Sequence, residues 1–137
     1  MRLLIAASKV DFGPRLDEAI EQVRRLIRPP LVLVAPTAIP WDRVIQSEGS
    51  WDGAYRWAAR THAACCLVET EAGALGRGTY QLAQEFLRVG KRVVVLRDGR
   101  LLRVMEVVES GANDWKTDYG VAIVEDRGER FRQETPF

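Results

Sequence analysis

The chain has 137 residues, enough for one domain with a sizeable core and too few for two. Apolar residues make up 47% and charged residues 28%, which excludes a disordered chain, a collagen-like repeat or a disulfide-stapled miniature scaffold. Twenty basic against nineteen acidic residues leave a net charge of +1, so no global field draws the chain to nucleic acid or to an anionic membrane surface.

Leu3 to Ala7 is a short apolar run without polar alternation, as expected of a central strand buried on both faces. After a loop over Lys9 to Gly13, Pro14 suits the first position of a helix. Leu16, Ala19, Ile20, Val23, Leu26 and Ile27 then recur at helical spacing, until Pro29-Pro30 ends the pattern. Leu31 to Val34 forms a second strand. The stretch from Thr37 to Ser50, with Pro40 and Gly49, reads as irregular. A helix over Trp51 to His62 and a strand over Cys65 to Val68 follow. Glu69 to Gly78 is a loop with Gly73, Gly76 and Gly78, and Thr79 opens a helix that Gly90 closes. Arg92 to Leu96 is a fourth strand. The turn Arg97-Asp98-Gly99-Arg100 folds Leu101 to Val108 back as an antiparallel edge hairpin, and Val121 to Val124 offers one more short strand.

The alternation predicts an α/β fold, specifically a three-layer, Rossmann-like (flavodoxin-like) and mostly parallel sheet. Helices would lie on both faces, with a C-terminal antiparallel edge hairpin. Residues 1–125 form a single domain in this reading, and 126–137 a polar C-terminal tail, either frayed or used for subunit contact. Adjacent Cys65 and Cys66 make no disulfide framework. No apolar run has the length of a membrane span, and the apolar run after Met1-Arg2 is too short for a signal peptide, so a cytoplasmic protein without membrane partners is expected.

In an open parallel sheet, ligands bind beyond the carboxyl ends of the strands. The informative loop there is Gly76-Arg77-Gly78-Thr79, between a buried strand and a helix start. Glycines let the main chain approach a ligand, and the first turn of the helix offers unpaired amides and the positive end of the dipole. Thr79 could cap the helix or donate its hydroxyl, and Arg77 could add a forked charge. A phosphate is the expected guest, with Ser8 lining the floor. The alternative is a turn that only reverses the chain. The loop is no Walker loop, since no Gly-Lys-Ser/Thr follows, and it does not follow the first strand as a dinucleotide fingerprint does.

Gly78-Thr79 at a helix start, then Gly90-Lys91 before an apolar strand, resembles the signature of the nucleoside 2-deoxyribosyltransferase-like proteins. It is also similar to the related Rossmann-like nucleotide-binding group that includes the cytokinin-activating phosphoribohydrolases. The specific part lies in residues 76–94, with looser similarity at Arg56-Trp57 and Ala6-Ala7-Ser8. The resemblance implies a bound nucleotide or phosphorylated nucleoside, no separate cofactor, cleavage or transfer at an N-glycosidic bond, and a homo-oligomer. It also exposes a departure. Those enzymes carry a glutamate in the first turn after Gly-Thr, where this chain has Leu82, which can neither attack an anomeric carbon nor stabilise an oxocarbenium-like transition state. Glu71 and Glu85 are the candidate catalytic acids in its place, with Glu69 a further acidic neighbour. A non-catalytic binding or assembly module of the same fold is the alternative.

Other residues carry less. His62, the one histidine, reads as a helix-end or surface residue, and with two adjacent cysteines it makes no metal site. Cys65 and Cys66 read as core. Arg92, Arg97, Arg100 and Arg103 on the hairpin, with Trp115 and Tyr119 downstream, could hold a single strand, but edge strands also use charge to block aggregation. Trp41, Trp51 and Trp57 either line a base-binding pocket or fill core, with core preferred for Trp57.

Overall fold

The computed structural model describes residues 1–8, 12–110 and 119–125. The expected tail at 126–137, and Trp115, lie outside them. The chain runs β1 (Arg2–Ala6), α1 (Pro14–Leu26), β2 (Val32–Val34), a 3-10 turn (Pro36–Ala38), α2 (Trp41–Glu48), α3 (Trp51–Thr61), β3 (Ala64–Val68), α4 (Arg77–Arg88), β4 (Arg92–Arg97), β5 (Arg100–Glu109) and β6 (Gly120–Val124). The six strands form an α/β sheet in the order β2-β1-β3-β4-β5-β6. β2, β1, β3 and β4 are parallel; β5 runs antiparallel to both β4 and β6.

The central strands are apolar on both sides because both sides are covered. Leu3 and Ile5 of β1, Cys66 and Val68 of β3 and Val94 of β4 pack with Leu16, Ala19 and Val23 of α1. The intervening residues Leu4, Ala6, Cys65, Leu67, Val93 and Val95 pack with α2, α3 and α4 through Val44, Ala54, Ala58, Leu82, Ala83 and Phe86. Period-two alternation along each strand thus divides the core between two clusters.

Two details depart from the sequence expectation. The stretch 37–50 is not irregular, because Trp41 to Glu48 is helical and buries Val44. Pro40 and Gly49, which read as breakers, are its boundaries: Pro40 is the N-cap, and Gly49, at φ +91°, closes the C-terminus with its amide donating to the Ile45 carbonyl. Helix α4 starts at Arg77 with Gly76 as N-cap, so Thr79 sits inside the first turn and does not cap it. The antiparallel edge hairpin is present as expected, with β5 folded back on β4. Strand β5 spans ten residues and is covered by β6, which takes the edge.

Local rules explain the other boundaries. Asp98 and Gly99, at φ +53° and +72°, form the two-residue turn that joins β4 to β5. At the end of α4, Gly90 takes φ +77°, its amide donating to the Leu87 carbonyl and the Lys91 amide to that of Phe86. That pair of bonds is a Schellman closure. The Lys91 ammonium reaches across to donate to the carbonyls of Ala59, Arg60 and His62, capping the C-terminal end of α3.

Candidate functional site

The chain leaves β1 through α1 for β2 on one side, then returns through α2 and α3 to β3 on the other. Beyond the carboxyl ends of β1 and β3 the connections therefore diverge, the place where open α/β sheets form a crevice. Ser8 follows β1 there, and the β3–α4 loop brings Gly76 against it. A Cβ built on Gly76 would lie 3.0 Å from Ser8 Cβ and 3.1 Å from Ser8 Oγ, so any side chain there would push Ser8 back by a few tenths of an ångström. One built on Gly78 would lie 3.2 Å from the Tyr55 hydroxyl of α3.

Sequence-predicted Ser8, Gly76, Arg77, Gly78 and Thr79 thus share one corner of the sheet. Arg77 is exposed, and its guanidinium lies over the Tyr119 ring, 5.4 Å from the centroid. Thr79 is 2% exposed, and its hydroxyl has no partner among the described residues. The loop before the corner is tied down. The Gly73 amide donates to the Thr70 carbonyl, and the Ala74 amide to the Thr70 hydroxyl. Leu75 exchanges backbone hydrogen bonds with Tyr119 and Gly120 at the start of β6. These bonds fix the loop that leads into α4.

The carboxylates fall elsewhere. Glu69 is nearly buried and held by a two-pronged pair from Arg97, Nε to Oε1 at 3.1 Å and Nη2 to Oε2 at 2.7 Å. That hydrogen bonding raises the Arg97 pKa further above its ordinary value. Arg15 donates to the Glu69 carbonyl. Glu71 lines a cavity of about 450 Å3 on the α1 side, together with Arg15, Glu18, Glu69 and Arg97, and none of Gly76 to Thr79 borders it. Glu85 pairs with Arg88 in the last turn of α4, about 10 Å along the helix from Gly78 at 1.5 Å per residue. Leu82 is buried in the core. The structure therefore separates Glu71 and Glu85 from the loop they were expected to serve.

Sequence reasoning passed over Tyr55. Its hydroxyl meets Gly78, and its ring packs edge-on to Trp41 (6.4 Å between centroids) and tilted on Trp51 (5.6 Å). Burial raises its pKa above 10.0, the Asp52 carboxylate adds to that, and Arg77 opposes it. The phenol therefore stays protonated and can donate. The available signal was Trp51 and Tyr55 at i and i+4 in a helix that starts at the ligand end of the sheet.

The remaining candidates take structural places. His62 ends α3, as expected, but it is 2% exposed and so not a surface residue. Its ring packs edge-on to Trp57, which lies partly buried against the core. Cys65 and Cys66 are buried, and burial pushes both thiols up, that of Cys66 to about 12. Among the described residues no group of three or more His, Cys, Asp or Glu is placed to hold a metal, and no helix is long and apolar enough to cross a membrane. Comparison with protein-family models, curated proteins and solved structures returns no match.

Proposed function

We propose that the chain binds a nucleotide or phosphorylated nucleoside in the crevice between β1 and β3. The first-turn amides of α4 from Arg77 to Thr79 would receive the phosphate, Arg77 would swing over it, and Ser8 would line the floor. We also infer a three-layer, flavodoxin-like variant of the Rossmann-like architecture, from the 2-1-3-4 start of the strand order and the two apolar clusters. The observation that carries the proposal is the Gly76–Ser8 approach beside the buried Thr79 hydroxyl, which has no partner among the described residues. A turn that only reversed the chain would have no need to meet the end of β1 at this distance or to bury a polar group without a protein partner. The resemblance to the deoxyribosyltransferase-like proteins points the same way.

Binding without bond cleavage is the better-supported form. Leu82 is core, Glu85 pairs with Arg88 in the last turn of α4, and Glu71 lines the α1-side cavity. Thermal denaturation with nucleoside monophosphates tests the proposal: at a hundred times Kd, binding stabilises by about 2.7 kcal/mol, and no shift at millimolar ligand contradicts it. Deoxynucleosides and their monophosphates should remain intact on incubation. Base release that disappears in Glu71→Gln or Glu85→Gln would restore the N-glycosidic enzyme reading.

A further inference from the structure

We propose that the indole of Trp51 is a stacking platform for a planar aromatic base, so that the crevice selects base-bearing nucleotides over sugar phosphates and inorganic phosphate. This rests on the reading above that a phosphate sits at the start of α4. Trp41, Trp51 and Tyr55 form a three-ring cluster with centroids 5.6 to 6.4 Å apart. Their exposure is graded. Tyr55 is 9% exposed, Trp41 is half-buried with its indole N–H donating to the Pro36 carbonyl, and Trp51 is 46% exposed. Two rings support Trp51 from within the cluster while nearly half of its surface faces solvent.

The mounting is rigid. Trp51 is the first residue of α3, where the Ser50 hydroxyl accepts from the Gly53 amide at 3.0 Å. Gly53 presses on the end of α2 so closely that a Cβ there would lie 2.7 Å from the Glu48 carbonyl oxygen. A ring held at such a corner loses little entropy when a base stacks on it. Tyr55 is the spacer between platform and phosphate end, since its hydroxyl meets Gly78 and its ring meets Trp51.

Charge orients the guest. Asp52 stands in the first turn of α3 and Arg77 opens α4, so a negative group lies at the α3 end and a positive one at the α4 end, with Tyr55 between them. A nucleotide fits that polarity in one direction only, phosphate toward Arg77 and ribose and base toward Asp52 and Trp51. Asp52 can accept from ribose hydroxyls or exocyclic amines, and it repels a phosphate placed the wrong way round.

Calorimetric titration of the full chain with AMP, ribose 5-phosphate and inorganic phosphate, alongside tryptophan fluorescence, tests this. Because base–aromatic stacking is substantial and tolerant of base identity, AMP should bind about tenfold or more tighter than ribose 5-phosphate and quench the fluorescence. In Trp51→Leu that preference and the quenching should vanish while ribose 5-phosphate affinity holds. Trp51→Phe, which keeps a ring in the same place, should retain most of the preference and guards against misfolding of the leucine variant. Equal binding of AMP and ribose 5-phosphate to the wild type, or an AMP preference that survives in Trp51→Leu, overturns the platform and leaves the phosphate site standing. Binding of none of the three overturns both.

Discussion

At Gly76 a Cβ would sit 3.0 Å from that of Ser8, and a branched side chain would press further into it. Gly76→Val should therefore part the β3–α4 loop from the end of β1, costing about 1–3 kcal/mol as overpacking does and abolishing nucleotide binding. Gly78 differs, because its neighbour is the far end of a side chain, the Tyr55 hydroxyl. Alanine is a better helix former than glycine by about 1 kcal/mol, so Gly78→Ala should keep or raise stability. By displacing Tyr55 it should still weaken nucleotide binding. Urea denaturation beside ligand titration reads both effects, and a joint fall of stability and binding in Gly78→Ala would contradict the assignment. His62 adds a pH dependence. Burial lowers its pKa below the ordinary 6.5, with Arg2 and Lys91 adding to the shift against an opposing hydrogen bond to the Ala58 carbonyl. Below about pH 6.5 the unfolded chain takes up a proton that the folded one resists, so this contribution is complete above 6.5 and fades as pH falls toward the lowered value. The drop in Tm from pH 7.5 to 5.5 should be smaller in His62→Phe than in the wild type; equal drops would show that the ring titrates freely in the fold.

Elements were legible where period and punctuation agreed. The buried strands and the first, third and fourth helices follow from apolar spacing, and Asp98-Gly99 announced its turn. The second helix escaped because it is eight residues long and its boundary residues looked like interruptions. β6 as the edge of the sheet was hidden for another reason: its place depends on Leu75 bridging to Gly120 and on β5 pairing, contacts far apart in sequence. The Gly90-Lys91 step carried part of the family resemblance, yet its work here is packing, a Schellman closure of α4 and a cap on α3. Lys91→Met should accordingly lower stability by about 1–2 kcal/mol, the scale of a charged helix-end cap with its hydrogen bonds, without changing nucleotide affinity. An unchanged urea midpoint would remove the cap from the account. A fall in affinity with full stability would return Lys91 to the ligand.

At the scale of the whole molecule, the return of the chain across β1 decides where function can sit. It makes the connections diverge beyond β1 and β3, and it packs α3 on α4 so that Tyr55 reaches Gly78 at that end. The sequence could locate the glycine loop in that order, because strand, loop and helix are consecutive. It could not show that Glu71 would face the α1 side, or that Glu85 would ride to the far end of α4, since both depend on which face of the sheet each segment meets. Tyr55 was hidden likewise, reaching Gly78 only through the packing of α3 on α4. An amide-resolved NMR titration with a nucleoside monophosphate tests the central claim most directly. The largest and saturable shifts should fall on the backbone amides of Arg77, Gly78 and Thr79, with Ser8 and Tyr55 following, and should disappear in Gly76→Val. Shifts concentrated around Glu71 and Arg97 in the α1-side cavity, with the α4 amides unmoved, would contradict it.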